Sequence, residues 1–115
     1  MILNERIPIE RLIKEGNKCY PDRIKFCIDR KRQRVSIDED IHVIMEHELY
    51  DDGSDYKDIF GGDILFGNDL SEMKVVWEAH PNVERNRELQ LGHGRELTDG
   101  IIKDELFDIL KKWVY

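Results

Sequence analysis

At 115 residues the chain is sized for one domain, residues 1–115, and has no room for two independent cores. With 40% hydrophobic and 37% charged residues it is too apolar to stay disordered, and its formal charge of −7 argues against a nucleic-acid partner, which clustered Lys and Arg would have to attract. Apolar runs fall far short of the roughly 20 residues of a membrane span, no basic-then-apolar leader opens the chain, and two cysteines make no disulfide framework, so a cytoplasmic protein without a membrane partner is expected.

Pro8 suits a first helical turn, Ile9, Leu12 and Ile13 recur at helical spacing, and Glu10 precedes Lys14 by four, so a helix starts near Pro8 and ends between Glu15 and Tyr20. Ile24, Phe26 and Ile28 alternate with Lys25, Cys27 and Asp29, and Val35 and Ile37 alternate with Arg34, Ser36 and Asp38. Two strands joined by Arg30-Lys31-Arg32-Gln33 follow, and without an Asn-Gly or Asp-Gly pair the link is a loop of four residues or longer. Ile41, Ile44, Met45 and Leu49 share a helical face, with Asp38 or Asp40 placed to cap it, which favours a helix over the strand that alternating Ile41, Val43 and Met45 would also suit.

Gly61-Gly62 interrupts the apolar run Ile59 to Phe66, which predicts a strand with a bulge or with another backbone close by. Gly67-Asn68-Asp69 is a turn, Met73 to Ala79 a strand ended by Pro81, and Asn82 to Gly94 a long polar loop. Thr98 or Asp99 caps a last helix whose buried stripe is Ile102, Leu106, Ile109, Leu110 and Trp113, with Lys111 and Lys112 at its negative end. The order of elements gives an α+β fold: a mainly antiparallel sheet of about four strands, with about three helices packed on one face.

Charge is uneven. Arg23 to Arg34 holds six bases against Asp29 alone, whereas Asp38 to Asp63 holds ten acids against Lys57 alone. Arg30, Lys31, Arg32 and Arg34 form a basic tip that could meet phosphate or an acidic partner, but no aromatic residue lies in that loop to stack on a base.

His42 and Glu46 sit four apart and share a helical face, so with His80 or His93 from the loop region they could hold a divalent metal, with Asp51 as a neighbouring base. His47 lies about 140° round the helix from His42 and would not join them. The motif is not His-Glu-x-x-His, and a surface or half-buried helix pair is the favoured explanation. Asp51, Asp52, Asp55 and Asp58 with Ser54 lack the glycine and closing glutamate of a calcium loop and read as a solvated turn. Cys19 and Cys27 are not spaced as a redox pair, and no serine stands in a nucleophile-elbow context.

Four stretches carry a resemblance: Ile24 to Asp29 with its hairpin partner, Ile41-His42 followed by the run to Leu49 and Asp52-Gly53-Ser54, Asp58-Ile59-Phe60-Gly61, and Asn82-Val83 leading to the final helix. On these the chain resembles a family of small prokaryotic proteins catalogued as a domain of unknown function. It departs from that pattern at Phe60, where tryptophan is usual, and in its doubled glycine. The resemblance implies a compact cytoplasmic α+β protein and carries over no catalytic role.

The function expected first is a non-enzymatic binding or assembly module, with a protein partner or a homo-oligomer joined through the dipolar surface and a sheet edge. It needs no cofactor. The second reading is a metal-dependent hydrolytic enzyme built on His42 and Glu46, and the third is nucleic-acid binding through the basic hairpin.

Overall fold

The computed structural model describes residues 1–16, 19–66, 74–78 and 100–115. After Pro8 a single α-helical turn, α1 (Ile9–Arg11), widens into a π-helical segment, Leu12–Gly16. Leu12 is wholly buried beneath it. Strands β1 (Arg23–Asp29) and β2 (Arg34–Ile37) form the expected hairpin, paired from Phe26↔Ile37 to Asp29↔Arg34.

The four-residue link is held by a buried acid at its base. Asp29 Oδ1 accepts from the backbone N–H of Lys31 and of Arg32, both at 2.9 Å, while Gln33 takes the left-handed conformation at φ 56°. Asp29→Ala would leave two loop donors without a partner, and the expected cost is about 1–3 kcal/mol in a denaturant titration.

Helix α2 (His42–Asp51) leads into β3 (Ile59–Leu65), which is followed by β4 (Lys74–Glu78) and the last helix, α3 (Gly100–Trp113). The four strands make one antiparallel sheet in the order β2-β1-β3-β4, so the α+β reading holds.

The helices do not share one face. Ile24, Phe26, Ile28, Val35, Ile37, Phe60 and Ile64 cluster with Leu106, Ile109 and Leu110 of α3, whereas Cys27 and Ile59 cluster with Met45 and Leu49 of α2. Because successive strand residues point to opposite faces, α3 and α2 cover opposite sides of the sheet.

Two local expectations for α2 change. Ile41 is its N-cap, makes no side-chain cap bond, and is 49% exposed, and Ile44 is 41% exposed. The buried residues are Met45, Glu46 and Leu49, because the helix rests on a narrow strip of sheet and its apolar pattern is wider than the strip it covers.

The register runs unbroken through Cys27↔Gly61 and Phe26↔Gly62, so β3 has no bulge there. The glycines instead permit close approach, one on each face. A Cβ on Gly62 would lie 2.6 Å from Phe26 Cζ and 2.8 Å from the Val76 carbonyl oxygen, and one on Gly61 would lie 3.1 Å from His42 Cδ2.

The outer edge of β2 is occupied by the N-terminal segment: Leu3 N–H donates to Val35 O and Ile37 N–H to Met1 O, each at 2.9 Å. Further on, Ile7 bridges Val114 in parallel and so ties that segment to the end of α3. The buried stripe of α3 is Ile102, Leu106, Ile109 and Leu110, with Trp113 only partly covered. The expected turn at Gly67, the loop from Asn82 to Gly94 and the cap at Thr98 or Asp99 lie outside the described residues.

Candidate metal centre

His42 is the first residue of α2, and its ring lies against Gly61 of β3, where a side chain would crowd it. Gly61 pairs across the ladder with Glu78, and Asp63 stands two residues along the same strand. Strand alternation therefore puts both carboxylates on the face where the imidazole lies.

His42 Nδ1 is 3.1 Å from Glu78 Oε2. Its Nε2 is 2.9 Å from the Gly62 carbonyl oxygen and 3.1 Å from Asp63 Oδ1. One ligand atom from each of His42, Asp63 and Glu78 lies within 4.8 Å of the others, and this is the grouping found among the described residues.

The floor of the centre is dry and its mouth is open: the side chain of Asp63 is 6% exposed, that of His42 11% and that of Glu78 37%. Asp63 Oδ1 is shut off from solvent and has no hydrogen-bond partner, since the Nε2–H beside it is directed to the Gly62 carbonyl. Its close neighbour is His42 Nε2 at 3.1 Å, a cation when the ring is protonated but not aligned to donate to it. The other oxygen, Oδ2, faces Arg23 Nη1 at 3.6 Å and Lys25 Nζ at 3.7 Å.

Burial alone would lower the imidazole's pKa. The approach to Asp63, the bond to the Gly62 carbonyl and the charge of Glu78 outweigh it, so His42 titrates above its ordinary value. Burial likewise opposes ionisation of Asp63, but His42, Lys25 and Arg23 outweigh it and hold the carboxyl below its usual range.

These shifts fix a pH dependence for the metal-free protein. His42 contributes stability that is full below its unfolded pKa of about 6.5 and is lost as pH rises through the raised folded value. Asp63 contributes stability that is full above its unfolded pKa of about 3.9 and is lost as pH falls through the lowered folded value. Thermal midpoints of metal-free protein are expected to fall between pH 6 and pH 9 more steeply for the native chain than for His42→Gln, and parallel profiles would contradict the assignment.

Of the residues singled out from sequence as metal ligands, His42 alone is found in the centre. Glu46 is buried one turn further along α2 but is not part of the group. The helix crosses the sheet from β3 and β4 at His42 to β2 at Glu48, whose Oε1 accepts from Ser36 Oγ at 2.8 Å, so each turn carries its side chains away from the centre. Asp51, at the far end, is about 13 Å along the axis and too distant to act as its base. His80 and His93 lie outside the described residues. The members of the group that the sequence reading did not name are Asp63 and Glu78. An acid inside the apolar run of β3, two residues past a glycine, was the available signal.

The basic hairpin is turned on the chain itself. Arg30 Nε meets Glu105 Oε2 at 2.6 Å, Arg32 donates to Ser54 Oγ at 2.9 Å and to Asp52 Oδ2 at 3.1 Å, and Arg34 lies 3.7 Å from Asp52 and over the Trp113 ring. Lys31 is exposed. In the acidic turn Asp55 Oδ1 accepts from Lys57 N–H at 3.1 Å, the arrangement of an ordinary capped loop. No helix among the described residues is long and apolar enough to cross a membrane.

Neither the curated proteins nor the solved structures provide a match to this chain. A family profile covers residues 1–113, nearly the whole length and all the elements that build the centre. The chain therefore belongs to the family described as protein of unknown function DUF5674.

Proposed function

We propose that the protein binds one divalent transition-metal ion at His42, Asp63 and Glu78 and uses it in hydrolytic chemistry. The observation that supports this is the convergence of one imidazole and two carboxylates, His42, Asp63 and Glu78, with a ligand atom of each within 4.8 Å of the others. His42 donates Nε2–H to a backbone carbonyl, so once the ring gives up its other proton Nδ1 would offer a lone pair on the side of Glu78, the usual arrangement of a metal-ligating histidine. The 3.1 Å between Nδ1 and Oε2 is a gap that two metal–ligand bonds of about 2.1 Å can span. One nitrogen and two carboxylates suit Zn²⁺, Mn²⁺ or Fe²⁺ better than Ca²⁺. Three protein ligands leave a position for water, whose pKa a bound metal lowers toward about 7.

Native mass spectrometry of protein purified with and without chelator tests this. A chelator-sensitive increment of one ion per chain is expected, and chains that stay metal-free in excess Zn²⁺ and in excess Mn²⁺ would sink the proposal.

A second reading, self-association, draws support from the outer face of α2, where Val43, Ile44 and Tyr50 are 43%, 41% and 50% exposed and Tyr50 stacks on Tyr56. Its driving force would be apolar, since Arg32 and Arg34 already meet Asp52 within the chain. A second copy of the chain is the occupant, and Ile44→Glu should turn a salt-insensitive dimer into a monomer in light scattering. A native chain that is monomeric at high concentration would remove the reading.

A further inference from the structure

We infer that Arg23 and Lys25 are the anion-holding arm of the His42–Asp63–Glu78 centre, and that its substrate is a phosphoryl ester gripped between the metal and these two cations. The inference rests on the metal reading above and adds the chemical class of what the metal acts on.

Arg23 and Lys25 alternate with the buried Ile24 and Phe26, so both project from the face that carries the centre. Lys25 pairs with Asp63 across the ladder, and Leu65 is flanked by Arg23 on one side and Lys74 on the other. A row of three bases thus runs beside the metal ligands.

Neither cation is closely held by Asp63. The Lys25 side chain is only 16% exposed, yet its ammonium makes no hydrogen bond among the described residues and comes no nearer than 3.7 Å to Asp63 Oδ2. Arg23 Nη1 stands off at 3.6 Å, and its Nε meets the exposed Asp22 at 3.4 Å. Ammonium and guanidinium groups that bind a carboxylate fully do so at about 2.7–2.9 Å.

Charge balance shows when these groups become available. Arg23 and Lys25 bring two positive charges against the three negative charges of Asp63, Glu78 and Asp22. A divalent ion held by the neutral imidazole would turn this into an excess of one positive charge, draw Asp63 toward itself and loosen its hold on Arg23 and Lys25. Lys74 adds a further charge on the same face. A phosphoryl dianion matches this surplus, and its oxygens suit a planar guanidinium and a metal together. In the reaction, oxygen of the metal-held water bonds to phosphorus as the P–O bond to the alcohol breaks. One water proton passes to the departing oxygen and the other stays on the hydrogen phosphate released.

Calorimetric titration with inorganic phosphate, the product, tests the arm. Phosphate is expected to bind Mn²⁺-loaded native protein, and at least tenfold more weakly both chelator-stripped protein and the loaded Arg23→Gln/Lys25→Met variant. Mn²⁺ affinity of that variant should equal or exceed the native value. If Mn²⁺ binds but phosphate does not, or if phosphate binds native and variant alike, the arm is wrong and the metal reading survives. If Mn²⁺ does not bind, both are wrong. Should the double variant fail to fold, Arg23→Gln alone, at a 39% exposed side chain, keeps the same readout.

Discussion

Gly62→Ala is expected to destabilise the domain by about 3 kcal/mol or more, at or above the top of the usual range for overpacking a core. The new methyl carbon would stand 2.6 Å from Phe26 Cζ and 2.8 Å from the Val76 carbonyl oxygen. Neither can retreat cheaply. Phe26 is fully buried and meets Trp77 edge-on at 5.4 Å, while the Val76 carbonyl belongs to the backbone of β4 beside it. In a chain of this size the loss should lower the thermal midpoint by roughly 12 °C or more, measurable by calorimetry. Gly61→Ala is the control. Its methyl would meet only the edge of the His42 ring, at 3.1 Å, and that side chain can turn aside. It should leave the fold within about 1 kcal/mol of native while displacing the imidazole. Equal losses at the two positions would contradict the division of the glycines between the two faces.

His42→Ala should weaken metal binding at least about 100-fold, or about 2.7 kcal/mol, because it removes the one nitrogen ligand of the group. Glu78→Gln discriminates better. Its carboxylate is 37% exposed at the mouth, so metal-free stability should stay within about 1 kcal/mol of native, while metal affinity falls roughly 10- to 100-fold. Competition against a metallochromic chelator reads the affinity and a thermal melt in chelator reads the stability. Unchanged affinity in Glu78→Gln would remove it from the ligand set. Loss of both quantities together would mark it as a structural ion pair.

The sheet was legible because its signals are local. Alternation at Ile24, Phe26 and Ile28 and at Val35 and Ile37 reads directly as buried strand faces, and Ile102, Leu106, Ile109 and Leu110 do the same for α3. The side of the sheet taken by each helix was not legible, since an apolar stripe does not say which face it meets. Nor was the centre. Helical spacing ties His42 to Glu46, but His42 is a terminal residue whose ring reaches across to two strands, 21 and 36 positions further along the chain. Only the register Gly61↔Glu78, which sequence does not disclose, brings those carboxylates to it. The partners of the basic hairpin were not legible for a related reason: charges far apart in sequence, Arg30 with Glu105 and Arg32 with Asp52, are neighbours in space.

The N-terminal segment along β2 bears on how open that border of the sheet is to strand addition. An uncovered strand presents a row of free amides and carbonyls that a foreign strand can copy, and a hydrophobic one such as Val35-Ser36-Ile37 would be an attractive template. Here that row is already read by Met1 and Leu3. A peptide seeking to extend the sheet at this border would first have to peel away its own chain's opening residues, so fibril seeding there is limited by local unfolding rather than by encounter.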